Sequence, residues 1–498
     1  MSYRLLHKTQ SAGNRPPITP IHILDNDSLL EIFSLCRPLT WDESESTNDE
    51  AFVEGGRNRE RWWYTFVHVC RRWRFVMLEC ASHLHLSLVC ARGTPVAAML
   101  ANSPPLPIII DHFDQRYGIT AGDEQGIILA LHHRDRVRHI RLRNPISLLQ
   151  KFIIALDGEF PILEDLLIQN RSYPILANMS LNIPKTFRAP HLRHLMLIGF
   201  DIPIGSPLNT TMGNLVTLNL DLIPPQASAY FHPETLLQQI SLMPHLKMLR
   251  IFLSNHFPSS DIERELLRVP IMTHVALSNL RCFGFKGSSA YLEALLPWFT
   301  FPLLEKLEVY FFNQLAYPIP RLSEFMSTAG NFRLIATTLI FYEHYLHIMA
   351  YPREGARVHT FSISLHGNHL NWQVASAAQI FHAIGAKFSA VEHLTLQYDR
   401  YFPSPMHNDE AYGTQWREIL RTFINVETIS IDDGLIGQLS LSLQPFEGES
   451  FTELLPELQE LTCYSTNPSH YTFTQFIVAR QMAGRPVTVI NVPVIAFR

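Results

Sequence analysis

The chain has 6 cysteines but no C-x-x-C pair, which excludes a zinc ribbon and a dithiol redox motif. No uninterrupted apolar run is long enough to span a bilayer. The opening MSYRLLHKTQSAGNRP lacks an apolar core of signal-peptide length. These absences point to an intracellular, reducing compartment and make the sequons at Asn170, Asn178 and Asn209 chance matches. Charge is sparse as well: 17% of residues are charged and the formal net charge is -5 over 498 residues. A balance that small gives no drive toward nucleic acid or an anionic membrane.

The short motifs of catalysis are missing too. There is no G-x-x-x-x-G-K-[ST] or G-x-G-x-x-G to cradle a phosphate, no H-E-x-x-H and no G-x-S-x-G. His344 and His347 share a possible helix face, but no carboxylate or Cys at ligand spacing completes a metal set. Asp432-Asp433-Gly434 reads as turn chemistry following a strand. His68 and Cys70, two apart on a helix, would face different ways. The 24 histidines are scattered. We expect no catalytic residue, metal or cofactor, which leaves binding as the function to look for.

What is present begins at residues 61 to 77, RWWYTFVHVCRRWRFVM. Trp62, Phe66, Val69, Cys70, Trp73, Val76 and Met77 follow the three-and-four spacing of one helix face, with Arg71, Arg72 and Arg74 off the stripe. Upstream, residues 23 to 36 predict a second helix capped by Asn26 or Asp27, with Glu31 in its early turns. Its apolar groups Leu29, Leu30, Ile32, Phe33 and Cys36 cover more than one face, so one side can pack on the Trp-rich stretch while another is left over. The Cys residues of this region sit on apolar positions and read as small buried hydrophobes.

The pair LLEIF (29 to 33) and HVCRRWR (68 to 74) resembles the F-box over roughly residues 18 to 90, with Leu24-Asp25 where that family usually has Leu-Pro. The whole layout, including SPPLPIIID and the repeats after it, is similar to the large F-box families of fungi. The resemblance implies a small helical module that docks on the Skp adaptor, which bridges to cullin in a ubiquitin ligase. On that reading Leu24, Leu29, Ile32, Phe33, Val69, Cys70 and Trp73 form the docking face, with some of them instead holding the two helices together. Sequence does not divide the two sets.

Around this module we expect a disordered lead at 1 to 17 and, within 18 to 90, a solvated acidic insert at 42 to 54, DESESTNDEAFVE, in which Ser44, Ser46 and Thr47 lie among carboxylates. Residues 91 to 111 form a junction, because Pro95, Pro104, Pro105 and Pro107 oppose helix, with Ile108 to Ile110 as a first short strand.

From 112 to 498 the chain repeats. The spacing apolar-x-x-apolar-x-apolar runs from Val137-Ile140-Leu142 through Leu163-Leu166-Ile168, Leu192-Leu195-Leu197, Leu215-Leu218-Leu220, Leu246-Leu249-Ile251, Leu280-Phe283-Phe285 and Leu304-Leu307-Val309. It continues as Val358-Phe361-Ile363, Val391-Leu394-Leu396, Val426-Ile429-Ile431 and Leu458-Leu461-Cys463, with a poorer copy near Leu334 to Leu339. The mean interval of about 29 residues falls within the leucine-rich-repeat span. Helix-like stretches lie between copies at 146 to 157, 234 to 243, 261 to 269, 289 to 299, 372 to 388 and 415 to 424. A strand plus a helix cannot bury its apolar face alone, so neighbours stack. The fold class is therefore α/β: a helical module followed by an irregular leucine-rich-repeat solenoid with a curved parallel sheet.

Residues alternating with the buried anchors face outward on the concave side. Arg141, Arg143, Asn219, Asp221, Arg250, Phe252, Glu308, Tyr310, Thr395, Gln397, Ser430, Asp432 and Tyr464 are the candidate target-binding set. Mixed charge with aromatics suits an as yet unknown protein target better than a polyanion. The leading functional reading is a substrate receptor of a Skp–cullin–F-box ligase, and the alternative is a ligase-independent repeat scaffold.

Overall fold

The computed structural model describes residues 23–38, 61–113, 118–171, 183–200, 212–222, 232–253, 268, 270–312, 314, 316–328, 332–399, 410–444, 454–465 and 473–493. The lead, the acidic insert and nearly all of the helix expected at 261 to 269 lie outside the described residues.

Helix α1 (Asn26–Leu35) is capped by Asp25, one residue before Asn26 and two before Asp27, the expected caps: Asp25 is extended, and its carboxylate accepts from the Ser28 N–H at 2.7 Å. The helix buries Leu29 and Phe33, one turn apart. The Trp-rich stretch is not one helix. It divides into α2 (Tyr64–Val67) and α3 (Arg71–Glu79), because Cys70 adopts extended backbone and caps α3, its Sγ accepting from the Trp73 N–H at 3.5 Å. Across the break, Arg74 Nε donates to the Val67 carbonyl at 3.0 Å. The apolar stripe survives the change of direction: Phe66 and Trp73 both reach Phe33, with ring centroids 5.5 and 5.1 Å away.

This helical cluster is fastened to the start of the sheet. Its core of Leu29, Phe33, Trp63, Val67, Val76 and Met77 continues into Leu84, Leu86, Leu88 and Leu106. Trp63 Nε1 donates to the Ser87 carbonyl at 3.2 Å, and Arg61 donates to Thr94 Oγ1 at 3.2 Å. Leu88 already belongs to the sheet. The first strand is therefore β1 (Leu88–Ala91), not Ile108 to Ile110, and the proline-rich junction holds a helix, α4 (Val96–Asn102), ahead of β2 (Ile108–His112). Pro95 stands just before α4, where a missing N–H costs nothing.

The chain then alternates strand and helix in the expected way. Helix α5 (Ala121–His132), which starts on a Thr120/Asp123 capping box, leads to β3 (Val137–Asn144). Helix α6 (Ile146–Ile154) leads to β4 (Asp165–Asn170), β5 (His194–Phe200) and β6 (Thr217–Leu222). Helix α7 (Pro233–Ser241) leads to β7 (Met248–Phe252), the two-residue β8 (Val275–Ala276) and β9 (Cys282–Gly287). Helix α8 (Ser289–Leu295) precedes the two-residue β10 (Phe299–Thr300), which pairs with β8 apart from the main sheet, and then β11 (Lys306–Phe311). In most repeats the anchors, such as Ile140 and Leu142 or Leu307 and Val309, are buried in one core with the helices' apolar faces.

After β11 the pattern is interrupted. Helix α9 (Pro320–Thr328) delivers β12 (Ala336–Phe341), which turns back as β13 (Tyr345–Tyr351) and again as β14 (Phe361–His366). The turn is tied by the Tyr342 N–H donating to the Tyr345 carbonyl at 2.9 Å. Here β14, not β12, pairs with β11, while β12 pairs with β15 (His393–Tyr398), which comes after helix α10 (Leu370–Ile384). The 16-stranded sheet runs β1-β2-β3-β4-β5-β6-β7-β9-β11-β14-β13-β12-β15 and ends on the three strands at Thr428–Asp432, Glu460–Ser465 and Thr488–Pro493. It is not wholly parallel: β13 is antiparallel to both neighbours. His347 thus lies in this hairpin strand and His344 in the bend just before it, neither on a helix.

Helix α11 (Glu410–Arg421), β16 (Thr428–Asp432), α12 (Asp433–Ser442), β17 (Glu460–Ser465), α13 (Thr474–Met482) and β18 (Thr488–Pro493) complete the chain. Asp432-Asp433-Gly434 starts a helix directly and is no free-standing turn. The architecture is a mixed α/β, mostly parallel sheet with one face covered by helices, a solenoid of leucine-rich-repeat type.

Candidate functional site

Two surfaces bear on binding, and the structure sorts their residues differently from the sequence. In the N-terminal cluster, Leu29 and Phe33 are fully buried and hold the helices together. Trp73 is part-buried between Phe33 and Phe66, and Cys70 is occupied as a helix cap. Leu24 is part-buried, and its carbonyl accepts from Arg72 Nη2 at 2.5 Å. Among the named docking residues, Ile32 and Val69 stay open, at 37% and 58% exposure. Two residues missed by sequence join them: Leu35 at 77% and Phe75 at 60%. Phe75 lies off the stripe that buries Val76 and Met77, which was the available signal. Cys36 is exposed, against the expectation of a buried thiol.

The second surface is the sheet face that the helices leave open. Its central row is fixed by register: Asp111, Arg141, Leu167, Met196, Asn219, Arg250, Gly284, Glu308, Ser362, Met349, Thr338 and Thr395 stand side by side. Side chains in this row shield one another, so several of the expected contact residues are internal. Arg141 is buried and lies 3.5 Å from Asp165. Arg250 and Glu308 are buried and pair at 3.0 Å across an intervening strand. Gly284 makes that reach possible, since a Cβ there would come 2.7 Å from Arg250 Cγ.

Glu308 also meets Lys306 Nζ at 2.6 Å and His359 Nε2 at 3.5 Å. Burial works to raise the Glu308 carboxyl, but His359, Arg250 and Lys306 outweigh it and hold it well below the usual carboxylate range. A carboxylate so enclosed is a structural strut, and a target would reach it only by displacing three partners. Arg141, Arg250 and Glu308 therefore support the face and do not offer contacts.

The next row outward is where the face opens. It carries Arg143, Phe252, Lys286, Tyr310, His347, Gln397, Asp432 and Tyr464. Arg143 lies over the Phe113 ring, 5.7 Å from its centroid. Phe252 and Tyr310 meet edge to face at 5.4 Å, and Tyr310 lies 6.5 Å from the His347 ring. Burial lowers the Lys286 ammonium despite nearby Asp221, and burial with neighbouring His359 takes His347 down to about 4. At the far end Thr395, Leu396, Gln397, Ser430, Asp432 and Tyr464 line a cavity of about 240 Å³, and Tyr464 is 36% exposed. Asp432 Oδ2 accepts from the Tyr398 N–H at 3.2 Å.

Charge is segregated along the face. Lys and Arg on the two rows come from β3, β7 and β9; from β12 through β18 neither row carries a Lys or Arg among the described residues. Hydroxyl side chains take their place at Thr338, Thr395, Ser430 and Thr462.

No grouping of three or more His, Cys, Asp or Glu that could hold a metal occurs among the described residues, and no helix there is long and apolar enough to cross a membrane. No family model and no curated protein matches the chain. Among solved structures it is similar to the leucine-rich repeat-containing protein LegL7 from Legionella pneumophila, at 11% identity over 81% of this chain and 99% of that one, with a TM-score of 0.26. A superposition that loose leaves the repeat architecture to rest on the strand order and buried anchors of the chain itself.

Proposed function

We propose that the chain is the substrate-recognition subunit of a Skp–cullin–F-box ubiquitin ligase, a non-catalytic adaptor that docks on the Skp adaptor through the N-terminal helices and binds a protein target on the open sheet face. The observation that carries this reading is the set Ile32, Leu35, Val69 and Phe75, exposed apolar side chains on a helical cluster whose own core is complete and fastened to β1. Large apolar groups left outside a finished core are what a docking helix face needs.

The test is co-purification of the full chain with the Skp adaptor, beside an Ile32→Asp/Val69→Asp variant. Both positions are exposed, so the variant should keep its circular dichroism spectrum. Stoichiometric capture by the wild type, lost in the folded variant, is the expected result. No capture by the wild type would sink the ligase reading and leave the broader one, a repeat scaffold for protein interaction. Asp25 favours that second reading: it starts α1 by a side-chain cap where the F-box family has Pro.

A further inference from the structure

Of the buried charges, the hairpin histidines, the last strand and the rim on which the strands begin, the rim carries an inference furthest. We propose that it binds a second copy of the chain, the two rims running in opposite directions about a two-fold axis between β14 and β13. The proposal goes beyond the ligase reading and does not depend on it.

Backbone bonds define the rim as one row of residues, each directly ahead of its strand. The Val216 carbonyl accepts from the Lys247 and Met248 N–H groups, Lys247 from Arg281 and Cys282, and Arg281 from Glu305 and Lys306. Past the hairpin the row resumes: Ile335 accepts from Glu392 and His393, Glu392 from Glu427 and Thr428, and Glu427 from Gln459 and Glu460. Lys247 and Arg281 are exposed and enter adjacent strands, as do Glu392, half-buried, and Glu427, exposed. Like charges on neighbouring strands repel. Among the described residues Lys247, Glu392 and Glu427 have no ion-pair partner, and Arg281 shares with Glu305 a pair in which both side chains are more than half exposed.

The strand order makes this pattern self-complementary. Along β7-β9-β11-β14-β13-β12-β15-β16, an axis between β14 and β13 exchanges β7 with β16 and β9 with β15. Lys247 then faces Glu427 of the second copy and Arg281 faces its Glu392, and the symmetry makes each pair twice. Exposed apolar side chains follow the same exchange. Leu242, entering β7, and Ile424, entering β16, are each 48% exposed and trade places, while Leu303 and Val358, entering β11 and β14 and also exposed, lie nearest the axis.

The approach is open at both places where it could be blocked. The turn between β13 and β14 leans along the sheet, since Glu354 Oε2 lies 3.5 Å from His393 Nε2 at the start of β15. The same axis carries β5 onto β18, so β1 to β4 run past the last strand of the second copy and the N-terminal cluster stays clear. Each side chain invoked sits inside an unbroken described run: 232–253, 270–312, 332–399 or 410–444.

The experiment is sedimentation equilibrium of the full chain over a concentration series, beside the charge-reversed variants Lys247→Glu/Arg281→Glu and Glu392→Lys/Glu427→Lys. The wild type should rise from one chain toward two, and its dimer should weaken about tenfold or more between about 0.1 and 1 M salt, as the Debye length falls from about 10 to 3 Å. Each variant alone should be monomeric, because like charges then meet at every pair. An equimolar mixture of the two should dimerise again, because every pair is once more opposite. The milder Glu392→Gln/Glu427→Gln, which removes charge without adding repulsion, should weaken the dimer about tenfold. A wild type monomeric up to about 0.1 mM, a dimer that survives both reversals, or a mixture that stays monomeric while both variants keep their circular dichroism spectra would each overturn the proposal. Adaptor capture is tested at the N-terminal cluster, so failure there and failure here are separable.

Discussion

Replacing Gly284 with Ala should destabilise the centre of the sheet, although the same change in an ordinary strand stabilises it. Adding a Cβ to a strand glycine usually gains about 0.5–1 kcal/mol through backbone entropy. At Gly284 the new Cβ would sit 2.7 Å from Arg250 Cγ and 3.3 Å from Phe252 Cε1. Cγ is the base of the arginine side chain, not its flexible tip, so relief requires moving the whole group. That motion breaks the Arg250–Glu308 bond at 3.0 Å between two buried side chains.

Stripping one partner from a buried ion pair costs about 3–5 kcal/mol. Glu308 keeps Lys306 and His359, which brings the loss toward the 1.5–3 kcal/mol or so of a hydrogen bond to a charged group. Set against the entropic gain, the net effect is about 1–2 kcal/mol of destabilisation. Native-state hydrogen exchange of the β7, β9 and β11 amides reads it locally, which matters because repeat arrays need not unfold in one step. In an Arg250→Ala background the 2.7 Å clash is gone and only the 3.3 Å approach to the Phe252 ring edge remains, so Gly284→Ala should return to near neutral, with a coupling of about 2 kcal/mol in the cycle. Slower exchange in Gly284→Ala with Arg250 present would refute the account.

Other outcomes are expected from the same structure. His347 titrates at about 4 when folded, lowered by burial and by His359 from an ordinary 6.5; the unfolded chain therefore binds the proton first, and stability present near pH 7 should be lost as pH falls from about 6.5 toward 4, by at most about 3 kcal/mol. His347→Gln should flatten urea midpoints across that window, and an unchanged slope would count against it. Phe33→Ala, at a fully buried position touching Phe66 and Trp73, should cost about 3–5 kcal/mol in the N-terminal cluster, whereas Ile32→Asp should cost under about 1 kcal/mol, both followed by exchange of α1 amides. Arg480 is buried and donates to the carbonyls of Leu455, Pro456 and Leu458 at 2.9, 3.3 and 2.8 Å. Arg480→Met should leave the Leu458 carbonyl without its donor, while Pro456 keeps Arg485 and Leu455 keeps the Leu458 N–H; it should cost about 1–3 kcal/mol and speed proteolysis around residues 454 to 458.

The anchors were the legible part of the fold. A spacing such as Leu304-Leu307-Val309 specifies a strand because its inward residues must be apolar at every repeat. Val358 shows where the rule stops. It is 43% exposed and precedes β14, since that strand is entered from a hairpin and not from a helix. The break before Cys70 was hidden because Phe66 and Trp73 keep helical spacing across it while a thiol cap redirects the backbone. Gly434 read as a turn residue, but its missing side chain serves the ring of Tyr398 above a helix start. On the open face, alternation identified which residues point outward. It did not identify which are spoken for, because Arg250 and Glu308 lie 58 residues apart in sequence and meet only through register.

The reversed strand in the middle of the sheet has a consequence for synthesis. In an uninterrupted solenoid each strand leaving the ribosome finds its docking edge already made, and covers it at once. Here the edge of β11 waits while β12 and β13 emerge, because its partner β14 ends at His366. At about 5–20 residues per second, the roughly fifty intervening residues leave that edge bare for several seconds. Residues 312 to 392 must then lock in together, so this stretch cannot be shortened or duplicated one repeat at a time as its neighbours can. Unpaired strand edges recruit other chains, which makes the β11 edge the point at which a nascent copy is most exposed to aggregation.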